Sequence, residues 1–336
     1  MSGPPARACN GRLISLEFHL PGEPIPVGGL YMDDEMREKL QGTGQEFTFG
    51  SDEDSTAMSV RAACAALDAA GIPAEDIGLV ISAPTLITSY GLEIPAIALR
   101  AELGLENAEC LNVAQGCVGF LSGLQLACSY LAAENGPANV LVVTACKASS
   151  LMDNFNHGSF FWADAAAAAI VSAGEGSGLH LCAYGERSSS QDWDAMRLHH
   201  GDARRYADAL PALDLKLVVD FADQRAQMDY IVGERARCDG LISALLEAGG
   251  LAADDIDAVF LPSIGANRVP HLLGAQKDLR TRVKTDFRYA HMGGVDALFF
   301  LDLYLRAEAP PSTAHFIVMT PAYTAQWGGL LLDYRP

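Results

Sequence analysis

The sequence predicts an α/β protein made of two related halves, and three observations support this prediction. Half of the 336 residues are hydrophobic and 19% are charged, which is not the composition of a disordered chain. Residues 67–81 (LDAAGIPAEDIGLVI) and 246–260 (LEAGGLAADDIDAVF) are identical at seven of fifteen aligned positions. Short apolar runs typical of buried strands alternate with segments of helical periodicity, as expected for layered α/β proteins.

The two copies of the repeat share one local pattern. In each copy an amphipathic helix ends at a glycine, Gly71 or Gly250, then a short acidic loop follows and a β-branched run begins. The offset of 179 residues is too long for a solenoid repeat, so we expect the duplication of an α/β half. The alternative is that the helix–glycine–loop–strand pattern is common in any α/β protein.

Other segments fit the same layering. Residues 139–145, 166–172 and 316–320 form apolar runs that predict buried strands. Residues 119–133 (GFLSGLQLACSYLAA) combine helical periodicity with small residues on several faces, which predicts a helix packed all round at the centre of the molecule. The more polar residues 186–240 are expected to form surface loops and helices inserted between the halves.

The charge balance and the cysteine spacing exclude several classes of protein. The chain has 23 basic and 42 acidic residues and a net charge of −19, which argues against nucleic-acid binding and disfavours an anionic membrane surface. No two of the eight cysteines are spaced as CxxC, so no metal site and no redox dithiol are predicted. Because there is neither a secretory signal nor a run of about 18 apolar residues, we expect a soluble, cytoplasmic protein.

One cysteine stands in a pattern that indicates chemistry. The segment LNVAQGCVGFLSGLQLA (111–127) places Cys117 between a predicted strand and the central helix, with Gly116 and Gly119 close on either side. The glycines allow a tight turn and the close approach of a ligand, and the N-terminus of a helix favours a thiolate. Cys117 is therefore a candidate nucleophile, and a buried structural cysteine is the alternative.

Residues 112–127 resemble the active-site segment of ketoacyl-acyl-carrier-protein synthase III and its relatives in the thiolase superfamily. Four further segments resemble motifs of that family in the same order: WADAAAAAIVSAG (162–174), LPSIGANRVPHLLG (261–274), AHMGGVDALFFLDL (290–303) and MTPAYTAQWGGLLLDY (319–334). The resemblance implies a thiolase-like fold, in which two pseudo-symmetric α-β-α halves form five α-β-α-β-α layers. Residues 1–174 then carry the nucleophile, residues 175–336 carry the other catalytic groups, and the halves share one active site. It also implies a homodimer.

The departures from the family pattern bear on the reaction. The condensing members use Cys, His and Asn, but this chain has Ser263 at the His position and His291 at the Asn position, with Asp296 five residues further on. A set of Cys, His and Asp resembles the ketosynthase-III-like acyltransferases of polyketide and other natural-product pathways. We therefore predict Cys117 as the nucleophile, His291 as the general base and Asp296 as the residue that orients the imidazole. The repeat offset aligns Cys117 with Asp296; the alternative is that Asp296 caps the helix or pairs elsewhere.

The resemblance also suggests residues around this set. The backbone N–H of Cys117 is expected to form part of an oxyanion hole, with a second backbone donor from the loop at 321–324, Thr324 in particular. The residues predicted to lie in the acceptor or substrate pocket are Ser263, Asn267, His199, His157 and Phe161. For Ser263 the alternative is that it fills the space of the family's histidine.

The donor is predicted from what the chain lacks. Family members that load from coenzyme A carry a Trp and an Arg near residue 40 that hold the adenine ring, and residues 40–55 (LQGTGQEFTFGSDEDS) contain neither. A carrier-protein thioester is therefore favoured over coenzyme A, and no cofactor is expected beyond the pantetheine-linked donor. The residues predicted to dock the carrier protein are Arg268, Lys277, Arg280 and Arg282. The alternative is a solvated helix face.

These inferences together predict an acyltransferase that uses an acyl-enzyme at Cys117. It would move an acyl group from a carrier-protein or coenzyme A thioester to a hydroxyl, amine or thiol of a small-molecule or carrier-bound acceptor, without forming a carbon–carbon bond. The expected setting is polyketide-type (antibiotic) biosynthesis. Two alternatives remain open: a starter-unit condensing enzyme that decarboxylates a malonyl donor, and a catalytically silent subunit of a heteromeric synthase.

Overall fold

The computed structural model describes residues 3–30, 32, 34–86, 94–150, 155, 160–193, 196–198, 217–219, 224–308, 310–322 and 325–336. Its strands, numbered in chain order, are β1 (Arg7–His19), β2 (Ile25–Pro26), β3 (Phe47–Thr48), β4 (Ile77–Ser82), β5 (Glu109–Asn112), β6 (Asn139–Cys146), β7 (Ala165–Ser172), β8 (Gly178–Ser188), β9 (Met196–Leu198), β10 (Leu217–Val219), β11 (Ala258–Phe260), β12 (Ala314–Ala322) and β13 (Gln326–Arg335). Its helices are α1 (Asp34–Lys39), α2 (Ser55–Ala70), α3 (Pro95–Leu103), α4 (Gly119–Leu131), α5 (Gln224–Gly249), α6 (Val269–Leu272) and α7 (Asp296–Glu308).

Nine strands form one sheet whose two ends repeat the same topology. The strand order is β11-β12-β13-β8-β1-β7-β6-β4-β5, and the two halves meet where β1 pairs antiparallel with β8. Outward from β1, the strands β7 and β6 pair antiparallel and β4 pairs parallel. Outward from β8, the strands β13, β12 and β11 repeat these senses. A parallel bridge between Val259 and Val283 takes the place that β5 has in the first half. The strand order thus confirms the predicted pseudo-symmetry.

The helices complete five layers. Residues of both α4 and α7, such as Phe120 and Leu298, belong to one buried apolar cluster with side chains from both ends of the sheet. On the outer side of the first half, α2 packs against β1, β6 and β7, with Met58 fully buried there. On the outer side of the second half, α5 packs against β8 and β13. The two halves of the nine-stranded sheet thus form two separate layers on either side of the central helices. The order of layers is helix, first half of the sheet, central helices, second half of the sheet, helix, as the thiolase-like prediction requires.

The central position of α4 confirms one prediction in detail. Its first seven residues, Gly119 to Gln125, are all buried. A Cβ added at Gly123 would come within 2.7 Å of Val142 of β6, so strand and helix touch through the backbone of the helix. The small residues on several faces of α4 therefore allow close contact between the helix and the sheet. The N-terminal end of α4 lies in the middle of the molecule.

Two further expectations can be compared with the structure. Gly71 and Gly250 follow α2 and α5 with φ values of +63° and +65°, which confirms the helix ends of the repeat. The expectation that residues 186–240 form inserted surface segments holds for part of the described residues, because β9 and β10 pair in a separate two-stranded sheet and Trp193 is exposed. It is wrong at both ends of the range, because residues 186–188 end the inner strand β8, and 224–240 belong to α5, which buries Cys238.

Three remaining observations concern the chain as a whole. The predicted boundary between residues 174 and 175 falls in the turn between β7 and β8. The cysteines are all free thiols. Within the residues that the structure describes, no helix is both long enough and apolar enough to cross a bilayer.

Candidate active site

Cys117 lies in the turn that joins β5 to α4. Gly116 to Val118 form a single 3-10 turn that leads directly into α4 at Gly119. Gly116 has a φ of +53°, a conformation that favours glycine. A Cβ at Gly119 would lie 3.3 Å from the Cβ of Ala83, so the turn is packed tightly against the residue that follows β4. The thiol therefore sits at the N-terminal end of a buried helix, where the helix dipole favours negative charge.

His291 faces this thiol. Its Nε2 lies 3.5 Å from the Sγ of Cys117. Its backbone N–H donates to the carbonyl of Phe161, and its carbonyl accepts from the N–H of Ala163, both at 2.8 Å. The side chain is 1% exposed, and the ring of Trp162 packs against it with 4.5 Å between ring centroids. Backbone pairing and aromatic packing thus fix both the position and the plane of the imidazole.

Asp296, the first residue of α7, lies on the other side of the imidazole. Its Oδ2 is 2.7 Å from the Nδ1 of His291. The same oxygen accepts from the N–H of Ser263 at 2.9 Å and from that of Met292 at 3.4 Å. An oxygen that accepts three hydrogen bonds is that of a carboxylate, so Nδ1 carries a proton and Nε2 is turned toward the sulfur. The structure thus brings Cys117, His291 and Asp296 into one hydrogen-bonded line.

Burial and charge act on His291 in opposite directions. Burial disfavours the charged imidazolium, but the carboxylate of Asp296 and the sulfur of Cys117 favour it. Their combined effect raises the pKa of His291 to about 10. At neutral pH this imidazole therefore holds a second proton readily. Chemically, the arrangement can take a proton from the thiol and keep it next to the sulfur.

Apolar side chains enclose the sulfur. Cys117 belongs to a buried cluster with Phe160, Trp162 and Ala322, among others, and the ring of Phe160 meets that of His291 edge-on at 5.5 Å. The prediction that Phe161 lines this pocket is wrong, because its side chain packs into the large central cluster. Side chains alternate in an extended segment, so the two neighbours of Phe161 face the site instead.

Ser263 and Asn267 lie at two different depths. Ser263 is fully buried beneath the triad residues. Its hydroxyl donates to the carbonyl of Tyr289 at 2.5 Å, which favours the alternative that it fills the space of the family's histidine and contradicts an open channel wall. Asn267 is exposed, and its N–H donates to the carbonyl of Gly42 at 3.1 Å. The structure thus gives Ser263 a place next to Asp296, and Asn267 a place at the surface.

Three predicted residues, His157, His199 and Thr324, lie outside the described residues. β12 ends at Ala322, and a Cβ added at Gly116 would lie 3.7 Å from the Cβ of Ala322. The end of β12 therefore reaches the turn that holds Cys117. The second oxyanion donor at Thr324 stays a prediction.

The basic residues predicted to dock a carrier protein are mostly engaged within the protein. Arg268 pairs with the buried carboxylate of Glu234 on α5 at 2.6 Å. Arg280 and Arg282 donate to backbone carbonyls of neighbouring segments, while Lys277 is exposed. The three arginines are therefore held by contacts within the protein, and the docking role stays a prediction. The partners of Arg268 and Arg282 lie 26 to 34 residues away along the chain, so the local charge pattern does not reveal them.

Sequence analysis missed two residues beside the site. Trp162 packs on His291, and it stands at the start of a segment that had been recognised by resemblance. Gln45 is buried, and its amide bonds to the backbone of Phe161 and of Ser263, 116 and 218 residues away. No local pattern marks such a residue, because its role depends on which segments the fold brings together.

Comparisons with known proteins support the resemblance. A family model described as 3-oxoacyl-[acyl-carrier-protein (ACP)] synthase III matches residues 111–188. The beta-ketoacyl-[acyl-carrier-protein] synthase III of Helicobacter pylori (strain G27) is 31% identical over 165 residues, which are 47% of this chain and 49% of that protein. The chain thus matches about half the length of that relative. The synthase III 1 of Streptomyces coelicolor is 28% identical over 260 residues, which are 70% of this chain and 71% of that protein.

The solved structures agree on the fold. A structure described as ChlB3 [Aceyltransferase] matches with a TM-score of 0.82 and 18% identity, over 97% of this chain and 98% of that chain. At this identity the likeness concerns the fold alone. The sequence matches around Cys117 thus show similarity to ketoacyl-acyl-carrier-protein synthase III, and the structural match shows that the chain shares the thiolase fold.

Proposed function

We propose that the protein is an acyltransferase that works through an acyl-enzyme at Cys117 and forms no carbon–carbon bond. The observation that carries the proposal is the continuous line from Sγ through the imidazole to the carboxylate, 3.5 Å and 2.7 Å between heavy atoms. It has the components of a nucleophile, a base and an orienting acid. The proposed setting is natural-product biosynthesis of the polyketide type, with the protein acting as a homodimer.

The first half-reaction loads the enzyme. Nε2 of His291 holds the proton that Cys117 has given up, and the thiolate attacks the carbonyl carbon of an acyl thioester. The tetrahedral oxyanion forms beside the N-terminal end of α4, where the helix dipole and the backbone N–H of Cys117 stabilise it. The intermediate collapses with cleavage of the bond to the donor sulfur, and Nε2 returns the proton to the departing thiol. The acyl group is then a thioester of Cys117.

The second half-reaction transfers the acyl group. Nε2 takes the proton of an acceptor hydroxyl, amine or thiol, whose lone pair attacks the acyl-enzyme carbonyl. Collapse breaks the bond to Sγ, and the sulfur regains the proton from Nε2. In both halves Asp296 keeps Nδ1 protonated and stabilises the imidazolium. The donor is a carrier-protein or coenzyme A thioester, and the apolar walls formed by Phe160 and Trp162 favour an acyl chain without charge.

The environment of Ser263 supports transfer over decarboxylative condensation. In the family's condensing members, a histidine at this position and an asparagine at the position of His291 together hold the carbonyl of a malonyl thioester. Here the hydroxyl of Ser263 is committed to the carbonyl of Tyr289. The base His291 is itself held by a carboxylate, so it suits proton transfer in both directions.

The proposal is tested by incubating the protein with a panel of acyl-carrier-protein and coenzyme A thioesters and measuring intact mass. We expect one acyl group on the wild type and on Cys64→Ala, which changes an exposed cysteine, and none on Cys117→Ala. Adding amine, alcohol or thiol acceptors should discharge the acyl-enzyme. Release of carbon dioxide from a malonyl donor with formation of a longer chain would instead support the condensing alternative. Failure of every donor to acylate Cys117 would contradict both.

A further inference from the structure

We propose that Gln45 is a positioning residue that holds His291 and Asp296 at their working distance, an inference that rests on the proposed function. Gln45 lies in the loop before β3 and is only 9% exposed. It touches none of the reacting atoms. It acts through the backbone of two residues, Phe161 and Ser263, that contact His291 and Asp296.

The primary amide of Gln45 uses both of its donors and accepts one hydrogen bond. Its Oε1 accepts from the N–H of Phe161 at 2.7 Å. Its Nε2 donates to the carbonyl of Ser263 at 2.7 Å and to that of Phe161 at 3.2 Å. The orientation of the amide is unambiguous, because a flipped amide would set Nε2 against the N–H of Phe161 and Oε1 against two carbonyls.

The two residues whose backbone Gln45 binds, Phe161 and Ser263, are also the ones whose backbone supports the base and its carboxylate. The carbonyl of Phe161 accepts from the backbone N–H of His291 at 2.8 Å. The N–H of Ser263 donates to Oδ2 of Asp296 at 2.9 Å. One side chain thus connects the segment that carries the imidazole with the residue that supports its carboxylate. These segments come from separate parts of the chain, and the amide bridges them directly.

The backbone around Gln45 is itself fixed on both sides. The N–H groups of Glu46 and Phe47 donate to the carbonyl of Arg288 at 2.7 and 2.9 Å. On the other side, the N–H of Ala266 donates to the carbonyl of Thr43 at 2.8 Å. The amide is therefore preorganised, because its segment is already bound to the chain on either side of the site. A rigid support of this kind holds a catalytic geometry, and displacement of about 1 Å costs up to about 100-fold in rate.

The test compares Gln45→Met, Gln45→Glu and Gln125→Met. Methionine keeps the length of the side chain and removes all three hydrogen bonds, and glutamate keeps the acceptor but loses the donors until it is protonated. Gln125 is a matched control, since it is buried at 7% exposure and its amide bonds within α4 to Ser129. We expect kcat to fall about 10- to 100-fold in Gln45→Met, with little change in the donor KM and near wild-type kcat in Gln125→Met. The loss of kcat in Gln45→Glu relative to wild type should be smaller at pH 6 than at pH 8, because protonation gives the glutamate a donor.

A second readout separates positioning from stability alone. The rate of alkylation of Cys117 by iodoacetamide is measured against pH, alongside the thermal unfolding of each variant. If Gln45 positions Asp296 against the imidazole, the inflection due to His291 moves to lower pH in Gln45→Met and stays unchanged in Gln125→Met. An unchanged inflection and an unchanged kcat in a folded Gln45→Met protein would overturn the inference. The proposed function fails separately, if wild-type Cys117 is never acylated or its alkylation does not depend on His291.

Discussion

The two halves of the molecule build the same turn and use it differently. Counted from the first residues of α4 and α7, Gly116 and Gly293 are equivalent, with φ values of +53° and +64°. The next positions are Cys117 in the first half and Gly294 in the second. A Cβ added at Gly294 would come within 3.1 Å of the carbonyl oxygen of Cys117, so the two turns lie back to back. The structure thus aligns Cys117 with Gly294, and the sequence offset that aligned it with Asp296 is wrong by two residues.

This difference teaches how a duplicated frame forms one site. Where the two turns touch there is room for one side chain, so the copy opposite Cys117 carries a glycine. The polar groups of the second half flank its turn instead, with His291 before it and Asp296 at the start of α7. The first half supplies one reacting atom held by backbone geometry, whereas the second supplies a pair held by hydrogen bonds. Each of the following predictions tests this division.

The largest effect is expected from the orienting carboxylate. Asp296→Asn should lower the rate of acylation about 10³- to 10⁴-fold, because a neutral amide no longer stabilises the imidazolium of His291. The measurement is single-turnover acylation followed by intact mass. Asp302→Asn is the matched control on the same helix, since its carboxylate pairs with Arg306 at 2.7 Å away from the triad, and it should retain activity within a few-fold. Equal losses in both variants would contradict the orienting role.

The pH dependence of stability should come from the second half. The pKa of His291 is raised to about 10 in the fold, against about 6.5 for an unfolded histidine. The imidazolium therefore contributes stability that is fully present below about pH 6.5 and is lost as pH rises toward about 10, on the order of a few kcal/mol. Urea unfolding of wild type and His291→Gln at several pH values checks this, because titrations common to both proteins cancel. A difference in unfolding free energy between wild type and His291→Gln that does not change with pH would contradict this prediction.

The parts of the site that sequence analysis could predict are the locally encoded ones. The turn at Cys117 follows from its flanking glycines and from the all-round packing of α4, which small residues signal directly. The spacing of five residues places Asp296 at the start of α7 and His291 just before that helix. The halves follow from a repeat whose helix ends are marked by Gly71 and Gly250. In each case neighbouring residues specify the geometry, so a pattern along the chain suffices.

The parts that could not be predicted depend on contacts between distant segments. Whether Phe160 or Phe161 faces the site is decided by how the segment pairs with the backbone of His291, and a slip of one residue reverses the faces. The ion pair between Arg268 and Glu234 of α5 forms only in the folded chain, so the local sequence does not show it. Gln45 is recognisable only when its partners are known. Composition and local spacing do not predict these pairings.

The smallest predicted effects distinguish the two turns by their packing. Among the described residues, alanine at Gly116 meets only the Cβ of Ala322 at 3.7 Å, whereas alanine at Gly293 would lie 2.5 Å from the side chain of Thr85, whose hydroxyl accepts from the N–H of Gly294. Gly71→Ala is the matched control, because Gly71 has a φ of +63° and no described atom lies within 4 Å of an added Cβ.

Gly116→Ala and Gly71→Ala should therefore each cost about 1 kcal/mol, the strain of a left-handed residue. Gly293→Ala should cost about 3 kcal/mol, because overpacking adds to the same strain. The midpoints of urea unfolding, with unchanged slopes, measure these differences. If Gly293→Ala proved no worse than Gly71→Ala, the second turn would have room for a side chain beside Thr85. Packing at this position would then not distinguish the two turns.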